Sequence, residues 1–191
     1  MYDLIMRNLA MHISLNEEEA EYAKTLLQCK TVKRNTLLLQ SGEICRFIYF
    51  VNKGCLRIFN TDDNGDEHNI NFSPENWWVV DISSFSTQTP AFYAIGALED
   101  SELLYLSYNA FEQLCIHVPK FERFFRILTQ NGFYLYQLRV TGNLSQPAEE
   151  RYMHFQQLYP GLEQRISQKH IASYLGITPV FLSRIRKRKF K

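Results

Sequence analysis

The last two dozen residues, Ser167 to Lys191 (SQKHIASYLGITPVFLSRIRKRKFK), restrict the fold more than any other stretch. Ser167 is a good helix N-cap, and apolar residues recur at helical spacing through Ile171, Ala172 and Leu175. Gly176 tolerates a left-handed backbone and so stops a helix sharply. Thr178 then caps a second helix, with Pro179 at its first position, where a missing N–H is no loss. Leu182 and Ile185 return toward the first helix, which leaves Ser183, Arg184 and Lys187 on the opposite side. Small Ala172 lets the two helices cross closely. The pattern predicts a helix-turn-helix whose second helix reads DNA.

Charge supports that expectation over an ordinary helical hairpin. From Gln164 onward there are eight Lys or Arg residues and no Asp or Glu. The chain carries 21 basic and 20 acidic residues, so residues 1–163 hold 13 and 20, a net −7 against +8 for the tail. Such a split in a near-neutral chain is the footprint of a nucleic-acid module joined to something else.

A chain of 191 residues holds one medium domain and a small one, and its 46% hydrophobic and 21% charged content is that of a globular protein. No apolar run reaches the ~18 residues that a membrane span needs. The opening MYDLIMRNLAMHISLN lacks the basic, apolar and small-residue order of a signal peptide, so the cytoplasm is the expected compartment. Cys29, Cys45, Cys55 and Cys115 form no C-x-x-C pair and are expected to be reduced, acting as small hydrophobes. The five histidines are scattered, with no H-E-x-x-H, so no metal site is expected. No nucleophile–base pair or phosphate-cradling loop stands out, and an enzyme is not expected.

Residues 2–11 suit a short helix. Asn16 followed three residues later by Glu19 is a capping box that starts a helix running to about Gln28 and burying Ala20, Ala23, Leu26 and Leu27. From Thr31 to Ser107 the pattern changes to eight short β-rich runs (TVK, TLLL, FIYFV, CLRIF, HNINF, WWVV, FYAIGAL, ELLYL) separated by turn residues. The Asp62-Asp63-Asn64-Gly65 cluster reads as a hairpin turn, since it lacks the sixth-position glycine and distal glutamate of a calcium loop. Many short strands imply a sandwich, roll or barrel. Pro119 opens a long helix to about Gly142, in which Phe121, Phe124, Leu128, Asn131, Leu135 and Leu138 form a heptad-like seam. Its later part is a candidate homodimer contact, and the other reading is an intramolecular core stripe. Gly142 to Gln146 is the expected linker. Pro147, Glu149 and Glu150 then start a helix that must pack Tyr152, Phe155 and Leu158 against the helix-turn-helix.

Order and motifs together resemble the cyclic-AMP receptor protein / fumarate-nitrate regulator (Crp/Fnr) family of transcription factors. In the roll the resemblance rests on Leu39-Gln40-Ser41-Gly42-Glu43, on Phe50-Val51-Asn52-Lys53-Gly54, and on the length from Gly54 to Tyr105-Leu106-Ser107. In the tail it rests on Ile171, Ala172, Leu175, Gly176, Ile177, Leu182 and Ile185 at the family spacing. The resemblance implies an α+β chain. Residues 1–118 would be an antiparallel, cyclic-nucleotide-binding-like β-roll with N-terminal helices, 119–143 a dimerisation helix, and 144–191 a small helix-turn-helix domain lacking the usual wing. It further implies a homodimer on double-stranded DNA, with RNA polymerase as a partner if the chain activates transcription. A roll sensor whose C-terminal helices contact a protein instead is the alternative.

Cyclic-nucleotide binders of the family carry a phosphate turn that starts Gly-Glu and ends near Arg-Ser. Here the turn starts Val80-Asp81 and ends near Ala91-Phe92, with no arginine between Arg57 and Arg123. Conventional cyclic-nucleotide binding is therefore not expected: the roll either takes some other effector or is filled and ligand-free, and no cofactor is expected. Trp77, Trp78, Asp81, Ser83, Ser84 and Asn131 are the candidate effector pocket. The family's base-reading positions fall on Pro179, Val180 and Arg184, and its phosphate contacts on Gln168, Lys169 and Thr178. Ser183, Lys187 and Arg188 complete the candidate DNA-contacting set. An arginine at 184 suits bidentate guanine readout, whereas Val180 offers only apolar contact.

Overall fold

The computed structural model describes the backbone of residues 1–189 and the side chains of residues 1–187. These residues form two compact units, Met1–Ile58 with Phe72–Asn131, and Phe59–Asn71 with the chain from Gly132 onward.

The first unit begins with two helices, α1 (Asp3–Ala10) and α2 (Glu17–Leu26). The expected capping box is formed: Asn16 accepts from the Glu19 N–H at 2.8 Å and Glu19 accepts from the Asn16 N–H at 2.9 Å. The Glu19 carboxylate also receives the Lys120 ammonium at 2.7 Å, which draws it below the usual carboxylate range. The helix stops short of Gln28, because a strand starts there.

Eight strands follow, one for each β-rich run: β1 (Gln28–Val32), β2 (Leu37–Leu39), β3 (Phe47–Lys53), β4 (Leu56–Thr61), β5 (Glu67–Ser73), β6 (Trp78–Val79), β7 (Ala94–Ala97) and β8 (Ser101–Ser107). They make two four-stranded sheets, ordered β1-β8-β3-β6 and β2-β7-β4-β5. In the antiparallel β3–β8 pair Tyr49 lies opposite Tyr105 and Val51 opposite Leu103, so Phe47, Tyr49 and Val51 share one face and Ile48 and Phe50 the other. Gly54, just after β3, has φ +93°, and a Cβ there would lie 2.3 Å from Ser101 Oγ and 2.7 Å from the Asp100 carbonyl. Only glycine allows the chain to pass β8 so closely.

Between β6 and β7 runs a short helix, α3 (Ile82–Thr87), that its Ser/Thr-rich sequence did not announce. Then come α4 (Tyr108–His117) and the long α5 (Lys120–Ser145). The Trp78 indole sits on Phe50, Phe124 and Phe125 with ring centroids 5.3, 5.7 and 5.6 Å away, and its N–H donates to Asn8 Oδ1 at 2.9 Å. A large apolar ring with a satisfied polar edge suits this buried place between sheet and helices. Cys45, Cys55 and Cys115 are buried free thiols as expected, while Cys29 is exposed on β1.

The second unit contains the outer part of the β4–β5 hairpin and the C-terminal half of α5. It also holds α6 (Ala148–Leu158), a 3-10 turn (Leu162–Gln164), α7 (Gln168–Leu175) and α8 (Pro179–Lys189). The expected linker is instead helical through Ser145. Gly142 is buried there, and the Gln146 side chain lies where a Cβ would be, 2.8 Å away. No helix among the described residues is long and apolar enough to cross a membrane.

Candidate nucleic-acid interface

The helix-turn-helix is built as its sequence requires. The Ile177 N–H bonds the Ala172 carbonyl at 3.0 Å and the Gly176 N–H bonds the Ser173 carbonyl at 3.2 Å, with Gly176 at φ +65°. This is a Schellman stop, which satisfies carbonyls that would otherwise be orphaned. The Thr178 hydroxyl accepts from the Phe181 N–H at 3.2 Å and so caps α8. Ser167 stands at the N-cap of α7 without a side-chain hydrogen bond among the described residues. Ile171, Ala172, Leu175, Leu182 and Ile185 are all buried between the helices, and α6 closes the core with Tyr152, Phe155 and Tyr159. Phe155 meets Tyr174 with centroids 5.7 Å apart. Arg151 donates to the Leu175 carbonyl at 2.9 Å and to the Gln146 carbonyl at 2.7 Å, so a cation fastens α7's C-terminal end to the end of α5. The Tyr152 phenol is pushed up to about 12 by burial and by its hydrogen bond to Glu163.

With the apolar residues inside, Gln168, Lys169, Thr178, Val180, Arg184 and Lys187 are exposed and Ser183 is half-buried. Arg188 belongs to α8, but its side chain lies outside the described residues. Val180 and Phe181 stand out from the first turn of α8 at 65% and 38% exposure.

Sequence reasoning missed the residue that joins the hairpin to these helices. Arg139, on α5, donates to the carbonyls of Ile70, Asn69 (2.8 Å) and Tyr174 (2.9 Å), and its guanidinium lies 4.1 Å from the Tyr174 ring centroid. Around it, Ser173 Oγ donates to the Glu67 carbonyl at 2.7 Å and accepts from the Asn69 N–H at 2.9 Å, while the Tyr159 hydroxyl bonds Asn71. The hairpin tip is bonded within itself. Asp62 accepts from the Asn64 and Asp66 N–H groups and pairs with His68 at 2.9 Å, chiefly the last of which lowers its carboxyl. The one available sequence signal for Arg139 was that no other charged residue falls in the C-terminal half of α5.

The six candidate effector residues differ in burial and in the bonds they make. Asp81 is buried and caps α3, accepting from the Ser84 N–H at 3.0 Å and the Tyr93 N–H at 3.2 Å. Ser84 accepts from the Cys45 N–H at 2.9 Å and donates to the Thr89 carbonyl. Trp78 is core, Trp77 is half-buried with its carbonyl accepting from the Val51 N–H, and Ser83 and Asn131 are exposed. Two backbone donors of the turn are thus occupied by the protein's own carboxylate. With no arginine in the turn, these residues do not fit a cyclic phosphate.

Residues 29–117 match the cyclic nucleotide-binding domain family. Over 96% of its length the chain is 25% identical to the fumarate and nitrate reduction regulatory protein of Vibrio cholerae, covering 77% of that protein. Nearly the whole chain is thus similar to a Crp/Fnr-type regulator. Solved structures share its fold. FixK2 from Bradyrhizobium japonicum superposes with a TM-score of 0.74 at 15% identity, covering 85% of this chain and 83% of that one. The c-di-GMP-responsive regulator CLP of Xanthomonas campestris gives 0.67 at 15% identity, with 91% of each chain covered. The β-roll, long helix and C-terminal helices of this chain therefore share the Crp/Fnr fold.

Proposed function

We propose that the chain is a DNA-binding transcriptional regulator that acts as a homodimer on a pseudo-palindromic site. The observation that carries this reading is the outward face of α7 and α8. It exposes Gln168, Lys169, Thr178, Arg184 and Lys187, and no acidic residue follows Gln164 in sequence. Gln168, Lys169 and Thr178 take phosphates and fix the register. Arg184 reads a guanine, and Val180 packs on a thymine methyl. Lys187 and Arg188 add sequence-independent grip.

The dimer reading is supported by α5. Phe133, Tyr134, Leu138, Val140 and Leu144 are exposed along its C-terminal half, apolar surface of the kind that a second copy of the helix would cover. Two recognition helices about one DNA turn (~34 Å) apart follow from such a dimer. An effector in the roll would act by binding the DNA-competent arrangement more tightly than the other. The hairpin is the physical link, since it continues β4 and β5 and is bonded to Arg139 and Ser173.

Binding-site selection with the native chain and with Arg184→Ala tests the reading. The native protein should enrich a two-fold-related sequence, and the variant should lose about 1–3 kcal/mol and its preference at one base pair per half-site. An unchanged preference refutes the role of Arg184. The exposed Val180 and Phe181 favour one rival, a protein partner on α8. Sequence-independent, salt-independent behaviour in the DNA titration would favour it.

A further inference from the structure

A cavity of about 420 Å³ opens on the roll, lined by Leu38, Leu39, Glu43, Ile44, Cys45, Arg46, Phe47 and Tyr49. That volume is typical of small-molecule sites. The lining comes from β2, the turn after it and β3, and includes no residue of α3 or α5. It is therefore distinct from the family's phosphate turn. Leu38, Leu39, Ile44 and Phe47 supply its apolar side, and burial pushes the Cys45 thiol up, so the sulfur is a neutral wall atom that donates weakly to the Phe47 carbonyl at 3.4 Å.

Three polar groups remain. Tyr49 is only 4% exposed, and its hydroxyl has no hydrogen-bond partner among the described residues. That hydroxyl is not sealed from solvent, so it is open to a ligand atom at the cavity. Glu43 and Arg46, both exposed, carry opposite charges on the rim of this cavity and make no ion pair with each other. Glu43 uses one oxygen to accept from the Gln40 N–H at 3.0 Å, which holds the turn and leaves further lone pairs. The Arg46 guanidinium has no partner among the described residues.

We propose that this cavity binds a zwitterion with an apolar body, an apolar or aromatic α-amino acid. Its carboxylate lies on Arg46, its ammonium on Glu43, its side chain against Leu38, Leu39, Ile44 and Phe47, and its polar head also meets the Tyr49 hydroxyl. A simple anion would leave Glu43 opposing it, and a simple cation would leave Arg46 opposing it. A ligand bearing both charges matches both ends. The rim is bonded to the segment around α3: the Gly42 N–H donates to the Ala91 carbonyl at 2.8 Å, the Ala91 N–H to the Glu43 carbonyl at 2.8 Å, and Cys45 N–H to Ser84. Occupation of the cavity therefore bears on the α3 turn. The site stands apart from the DNA-binding reading, and its test uses no DNA.

Calorimetric titration of the full chain with L-phenylalanine, L-leucine and L-tryptophan, each against 3-phenylpropionate and phenethylamine, tests it. One site per chain with a Kd at or below about 1 mM is expected for at least one amino acid. The two single-charge analogues of phenylalanine should each bind about tenfold or more weakly than it does. Arg46→Gln and Glu43→Gln, both at exposed positions, should weaken the amino acid about tenfold, and Tyr49→Phe about threefold. Absence of saturable binding by all three amino acids overturns the proposal. So does 3-phenylpropionate binding as tightly as phenylalanine, or native affinity in Arg46→Gln.

Discussion

Replacing Arg139 by alanine should loosen the β4–β5 hairpin from α7 and destabilise the second unit. The side chain makes three charge-assisted bonds to backbone carbonyls and one cation–π contact. A hydrogen bond from a charged donor contributes about 1.5–3 kcal/mol, and a cation–π pair about 0.5–2. Their sum overstates the loss, because Arg139 is half-buried and water reaches carbonyls vacated by a truncated side chain. About 2–4 kcal/mol remains, which in a chain of this size lowers the melting temperature by about 5–12 °C. Arg139→Lys keeps the charge but loses the planar fork, so it should recover at most about 1 kcal/mol. Hydrogen exchange followed by mass spectrometry locates the effect. Amides of Glu67–Asn71 and of Ser173–Leu175 should exchange faster, while those of β3 and β8 should not change. Unchanged exchange in Glu67–Asn71, with a melting temperature within about 1 °C of native, would refute the argument.

Three further outcomes follow from named contacts. Gly54→Ala forces a Cβ into Ser101 and the Asp100 carbonyl at a positive φ, so it should destabilise the roll by about 2–4 kcal/mol in urea unfolding. Lys187→Ala should weaken DNA binding uniformly across sequences and make the log–log salt slope shallower by about one unit, measured by anisotropy at several salt concentrations. The double substitution Leu138→Asp, Leu144→Asp on the exposed apolar surface of α5 should shift the sedimentation profile from dimer to monomer without lowering helix content. A monomeric native chain would remove the dimer reading altogether.

What the sequence displays well is whatever is decided within a few residues. The Asn16–Glu19 box, the Gly176 stop, the Thr178 cap and the Asp62–Gly65 turn are each set by one or two side chains acting on nearby backbone, and all four are as expected. The eight strands were legible because turn residues separate them, although their ends shifted by one to three residues. Errors fell where a contact from elsewhere outweighs local preference. Gly142 reads as a break, but it is buried, its lack of a side chain gives Gln146 room, and that packing offsets glycine's helical penalty of about 1 kcal/mol. The α3 segment, mostly Ser and Thr, is a poor helix that exists because Asp81 caps it and Ser84 ties it to Cys45 and Thr89.

The candidate sites divide in the same way. The DNA-contacting face was legible because one helical hairpin supplies it, and helical spacing alone sorts Arg184 and Lys187 from Leu182 and Ile185. Arg139 reaches partners about seventy residues away along the chain, and no local pattern encodes that reach. Tyr49 is the sharper case. Alternation along β3 places it on the same face as Phe47 and Val51, and three apolar-looking residues in a row on one face read as plain core. Only the arrangement of β2 beside the turn leaves its hydroxyl next to open space with charges of both signs at the rim. That hydroxyl is reached by solvent and makes no hydrogen bond to another described residue. Tyr49→Phe therefore has opposite expected effects in two measurements, equal or greater stability of the free chain and weaker amino-acid binding, and a variant that is both less stable and equally competent to bind would show that the hydroxyl serves the fold.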